Sequence, residues 1–135
     1  MYDAINTSAT GLTTYRAWID VIADNIANVN TVKPMNQTAF QASYAEAREI
    51  GAGPDGVGRG VNIVALGKGD PQGDVTFSPS DPNANQEGYV RRPDINLAQQ
   101  MGDLILAQRA FQANANAVDR SKAMYQAAIQ IGKGM

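Results

Sequence analysis

From Asn96 to Ile131 the chain contains no proline, and Gly102 is the one glycine in that stretch. Leu97, Met101, Leu104, Phe111, Val118 and Tyr125 recur at steps of three, four and seven, with Ala115 and Ile129 continuing the track. Such spacing places these side chains on one narrow stripe of a helix. A helix of that length runs roughly 50 Å at 1.5 Å per residue. A domain of 135 residues does not bury such an element along its whole length, so the stretch demands a long partner. Asn96 is placed to cap the helix, with Gln99 answering as in a capping box, and Gly132 and Gly134 are expected to end it.

The partner lies at the other end of the chain. Ile5, Ser8, Leu12, Tyr15, Ile19, Ile22, Ile26 and Val29 alternate steps of three and four without a break, which is a sustained heptad stripe. Asp3 is a plausible N-cap, and Gly11 is a weak point near the start. Pro34 restricts Lys33, so the helix is expected to stop near residue 29. Asp20 and Asp24 share a face four residues apart, but without an imidazole or a third ligand nearby they read as a solvated face rather than an acid–base pair.

Between the helices the pattern changes. Residues 33–49 are ambiguous: Phe40, Ala42 and Tyr44 alternate like a strand, whereas Phe40, Tyr44 and Ala47 fit a helical face. The reading favoured is an extended start followed by an irregular stretch. Gly51, Gly53 and Gly56 match the spacing of a dinucleotide-binding loop, but that motif requires a buried strand before it and a helix N-terminus after it. Here Pro54 and Asp55 interrupt the loop, and the strand-like Val61–Leu66 follows it. Val61–Leu66 and Asp74–Phe77 are expected to form a hairpin across the turn-rich Gly67–Gly73, and Tyr89–Arg91 one further short strand. Arg91 and Arg92 form a small basic spot that reads as a surface salt-bridge pair. The fold expected is α+β, with long N- and C-terminal helices in a coiled-coil-like pair and a small Gly- and Pro-rich β insertion between them. The expected divisions are 1–30, 31–92 and 93–135.

Composition removes most chemistry. Cys and His are absent, which leaves no thiol nucleophile, imidazole base, disulfide framework or ordinary zinc site. A net charge of −2 creates no field suited to nucleic acid. No apolar run approaches the length of a membrane span, and Met1–Leu12 lacks the basic and apolar segments of a secretory signal. No cofactor and no small-molecule substrate are expected. Charged residues make up only 18% of the chain, and Ala, Asn, Gln and Gly occupy much of the remainder, a mixture suited to close helix approach.

The two ends resemble the flagellar basal-body rod and hook proteins. Ser8-Ala-Thr-Gly-Leu12, followed by Ile22-Ala-Asp-Asn-Ile-Ala-Asn-Val-Asn-Thr31, is similar to the N-terminal signature of that family. The C-terminal end matches in Gly88-Tyr-Val-Arg-Arg-Pro-Asp-Ile-Asn96 and in Ala107, Arg109, Phe111, Ala113 and Asn114. The short length and the Pro79, Pro82 and Ala84 approach to Gly88 look most like the proximal-rod type. One departure is Thr31-Val-Lys-Pro-Met35, where many axial proteins place a glycine and an aromatic after the threonine.

The resemblance implies a structural subunit without enzymatic activity, located in the basal body where the rod crosses the periplasm. It implies helical stacking around a channel with the terminal helices in the inner wall. Export is implied to pass through the flagellar type III apparatus without a cleaved signal peptide. Implied partners are other copies of the chain, the proximal and distal rod proteins and the hook–basal body junction protein. The expected assembly interface comprises Leu12, Tyr15, Ile19, Ile22, Asn25, Ile26 and Asn28 on the first helix. On the second it comprises Leu97, Met101, Leu104, Arg109, Phe111, Asn114, Val118 and Tyr125. Two other classes compete. A soluble helical adaptor or export chaperone would use the same stripes, but seldom carries such a β insertion. A nucleotide-binding enzyme would rest on the glycine loop alone.

Overall fold

The computed structural model describes residues 2–54 and 56–133. Its elements follow in the order α1 (Tyr2–Asn28), β1 (Ser43–Glu49), β2 (Val61–Lys68), β3 (Asp74–Phe77), β4 (Tyr89–Arg92) and α2 (Leu97–Lys133). Along α1 the whole expected stripe from Ile5 to Ile26 is at least half-buried, with Ile22 only 2% exposed. The helix ends where Asn28 turns its amide onto the carbonyl and carboxylate of Asp24 and accepts the Thr31 hydroxyl. Asp3 lies inside the first turn, not ahead of it, so it does not cap the helix as expected. Its negative charge still suits the N-terminal end of the helix dipole.

At the start of α2 the Asn96 side chain accepts the Gln99 N–H at 3.1 Å, as its position in the sequence suggests. The helix then continues through Gly132 to Lys133. Gly132 therefore does not end it, and Gly134 lies outside the described residues.

The strands pair differently from the expectation. β1 and β2 form an antiparallel hairpin from Ser43↔Lys68 to Glu49↔Val61, with a register shift between Glu46 and Ala47. The glycine-rich segment 50–60 is simply its loop, closed by Ile50 N–H donating to Gly60 O at 2.8 Å. β3 pairs with β4 instead of β2, from Asp74↔Arg92 to Phe77↔Tyr89. β2 pairs with β1 along its whole length, the ladder continuing to Gly69 N–H and Ala42 O at 2.8 Å, and β3 belongs to a separate two-stranded sheet. The ambiguous segment also reverses the expectation: residues 36–42 are irregular and the strand follows them.

The chain leaving α1 is fixed by Arg91. Lys33 and Arg91 exchange backbone hydrogen bonds of 2.9 Å, and the Arg91 guanidinium donates to Met35 O, Gln72 O and Gln72 Oε1. The expected basic surface spot is thus partly a clamp on carbonyl groups. α1 lies between the β1–β2 hairpin and α2. The apolar core is small, comprising Ile22, Ala39, Ala42, Val90 and Ala107, and it shares its interior with Thr14, Asn25, Ser43 and Gln100.

Candidate functional site

Among the described residues it is the seam between α1 and α2 that organises the molecule. Asn25, 1% exposed, donates to Ser43 O at 2.9 Å and to Gln100 Oε1 at 3.0 Å, and accepts Ser43 N–H at 2.8 Å. One side-chain amide therefore joins α1, β1 and α2, with its two N–H groups and its oxygen all engaged. Fourteen residues back along α1 and fourteen forward along α2, Gly11 faces Asn114. A Cβ at Gly11 would stand 2.6 Å from Asn114 Oδ1, so an added methyl would push the Asn114 side chain aside. Asn114 is held in place by donating to Ala110 O at 2.9 Å. The equal spacing shows that the helices run antiparallel, and midway between Gln100 and Asn114 lies Ala107 with no exposed surface.

The seam of α2 therefore runs through Gln100, Ala107, Asn114 and half-buried Ser121, seven residues apart and all small or polar. The expected stripe holds in its middle and fails at its ends. Leu104, Phe111 and Val118 alternate with these residues at steps of three and four and are half-buried, whereas Leu97, Met101, Tyr125 and Ile129 are 43%, 53%, 39% and 40% exposed.

Two threonines missed from the sequence attach the hairpin to α1. Val61 N–H donates to Thr10 Oγ1 at 3.1 Å, and Thr14 Oγ1 donates to Val61 O at 3.3 Å. They satisfy both backbone groups at the start of β2. Gln100 and Ser43 were also missed. The available signal was polar residues recurring at heptad positions, which a search for large apolar groups overlooks.

Of the expected interface residues, Ile22 and Asn25 are closed off within the chain. Leu12, Tyr15, Ile19, Ile26, Asn28, Leu104, Phe111, Asn114 and Val118 are half-buried, and Leu97, Met101, Arg109 and Tyr125 are exposed. Exposed Ile105, Leu106, Met124 and Ile131 join the last group. Carried on, the antiparallel register sets the first residue of α1 opposite residue 123, so α2 projects about 15 Å further. Every residue from Lys122 to Lys133 is exposed.

The glycine loop leads into a strand, not a helix N-terminus, and so lacks the geometry of a phosphate cradle. Among the described residues no group of His, Cys, Asp and Glu could hold a metal ion, and no helix is long and apolar enough to cross a membrane.

Residues 5–34 match the family model for flagella basal body rod protein, and residues 86–131 match that for the flagellar basal body rod FlgEFG protein C-terminal region. A flagellar basal-body rod protein FlgC from Borreliella burgdorferi is 33% identical, with 99% of each chain covered. This chain belongs to the flagellar basal-body rod protein family. Proteins of the same name from Bacillus subtilis and Aquifex aeolicus are each 28% identical, with 98% of each chain covered. The rod family is structural and not enzymatic. The matched segments contain the two sides of the seam: α1 with its Arg91-clamped exit, and β4 with most of α2. Within the second, Gly88 has φ of 84°, and a Cβ there would approach Phe77 Cε2 at 2.7 Å. Glycine thus lets β4 start tightly against the edge-on Phe77–Tyr89 aromatic pair.

Proposed function

We propose that this rod-family chain is a proximal-type subunit of the flagellar basal-body rod that polymerises through its terminal helices. The observation that carries this reading is the exposed aliphatic surface of α2: Leu97, Met101, Ile105, Leu106, Met124 and Ile131. Side chains of this kind along one long helix leave apolar area that neighbouring subunits cover. Ile22, Asn25, Gly11 and Asn114 hold the two helices together as a coiled-coil-like unit. Leu97, Met101, Arg109 and Tyr125, with the half-buried flanks of both helices, meet the neighbours. Segments 1–30 and 93–135 form the inner part of the rod, and 31–92 faces outward.

In this reading the subunit bears torque mechanically and lines the export channel. Its neighbours are copies of itself and other rod proteins, and it reaches the periplasm through the flagellar export apparatus without a cleaved signal. The test is location. A tagged chain should co-purify with basal bodies from cells that make it, and cells lacking it should build no complete rod. Complete rods and normal motility in its absence would refute the assignment.

A further inference from the structure

A pocket of about 190 Å³ opens where α1, β1 and α2 meet, beside the buried Asn25–Gln100 bond. Trp18 and Ile22 of α1, Tyr44 of β1, and Gln99, Gln100 and Asp103 of α2 line it. Trp18 and Asp103 are half-buried and Tyr44 is 50% exposed, so two aromatic rings and a carboxylate share one partly desolvated opening. The Asp103 carboxylate has no hydrogen bond and no ion pair among the described residues. The pocket is smaller than the roughly 300–1,000 Å³ of sites for small molecules or cofactors, and it suits one long side chain.

We propose that this pocket takes the arginine side chain of a neighbouring protein in the basal body. The neighbour rests on the rod reading; the chemistry of the pocket does not. A cation is drawn both to the negative faces of Trp and Tyr rings and to an unpaired carboxylate. Arginine suits that combination better than lysine. Its flat guanidinium stacks on a ring while its forked N–H groups pair with a carboxylate, and it gives up hydration more readily than an ammonium. An aliphatic side chain would leave Asp103 covered and unpaired, and an acidic one would be repelled by it. Lys68 donates its ammonium to Ser43 Oγ at 2.7 Å on the β1 side of the pocket, so the incoming cation gains most on the Asp103 side.

Trp18 is the one tryptophan of the chain, so its emission reports on the pocket directly. N-acetyl-arginine amide titrated into the full chain should change that emission saturably in the millimolar range. N-acetyl-citrulline amide has nearly the same shape without the charge and should bind about fivefold more weakly. Asp103→Asn should weaken binding of the arginine probe by a similar factor, and high salt should weaken it as well. An equal response to the two probes, or undiminished binding by the Asp103→Asn chain, overturns the proposal.

The source of the arginine is read in assembled material. A photoreactive benzoylphenylalanine at exposed Gln99 should join the chain, in purified basal bodies, to a segment that carries an arginine. The sequence of that segment tells whether the arginine belongs to another copy of this chain or to a different rod protein. No adduct, or adducts confined to segments without arginine, overturns the proposal and leaves the rod reading intact. Absence of the unsubstituted chain from basal bodies overturns the rod reading instead, while the titration still decides the chemistry of the pocket.

Discussion

The two long helices of this protein reach different states of completion. α1 lies between the hairpin and α2, and its apolar stripe is at least half-buried from Ile5 to Ile26. α2 is longer, yet its only buried residues are Gln100 and Ala107. It presents Leu97, Met101, Ile105, Leu106, Met124 and Ile131 to solvent. The difference separates two uses of heptad spacing. In α1 the stripe builds the chain's own interior. In α2 the stripe through Gln100, Ala107 and Asn114, with half-buried Leu104, Phe111 and Val118, meets α1, while other large apolar residues stay exposed.

The strongest test of that contrast pairs one residue from each helix. Ile22→Lys should destabilise the monomer by about 3–5 kcal/mol, since it removes a buried aliphatic side chain and buries an unpaired charge. Ile105→Lys should shift monomer stability by no more than about 0.5 kcal/mol in urea denaturation, yet prevent incorporation into rods. Equal destabilisation by the two substitutions would break the comparison.

Asn25→Ala should cost about 2–3 kcal/mol by the same measurement, because it leaves the Ser43 backbone groups and the Gln100 side chain without their buried partner. The glycines of the two helices give a test of sign. Gly11→Ala gains helix propensity but must displace the Asn114 side chain, so it should destabilise by about 1 kcal/mol or less. Nothing lies within 4 Å of a Cβ at Gly102, so Gly102→Ala should stabilise the monomer by up to about 1 kcal/mol through helix propensity. Finally, amides of residues 122–133 should exchange faster than those of Ile5–Asn28 in the isolated chain, and should slow on assembly. Equal protection of both segments in dilute monomer would show that α2 needs no neighbour to complete it.

Much of the architecture was legible from local pattern. The α1 stripe and its stop near Pro34 follow from heptad spacing and proline sterics, and the Asn96 cap follows from its place ahead of α2. The signature residues at both ends also pointed to the family before any contact was known. The strand partners were not legible in this way. Short strands such as Val61–Lys68 carry no label for a mate: Asp74–Phe77 is nearer in sequence, yet Ser43–Glu49 is the partner. The site was only half legible: Asn25 and Asn114 belong to the family patterns, whereas the roles of Gln100, Ser43, Thr10 and Thr14 depend on elements far away in sequence.

Sequence alone determined that two long helices frame a small β region and that no thiol or imidazole chemistry is available, because periodicity, proline placement and composition are local properties. Tertiary structure decided which face of α2 meets α1. Size and hydrophobicity pointed to Leu97, Met101 and Tyr125, but the distance between the helices is set by the Asn25–Gln100 bond and the Gly11–Asn114 contact. At that distance Gln100, Ala107 and Asn114 meet α1 together with half-buried Leu104, Phe111 and Val118, and Leu97, Met101 and Tyr125 stay exposed.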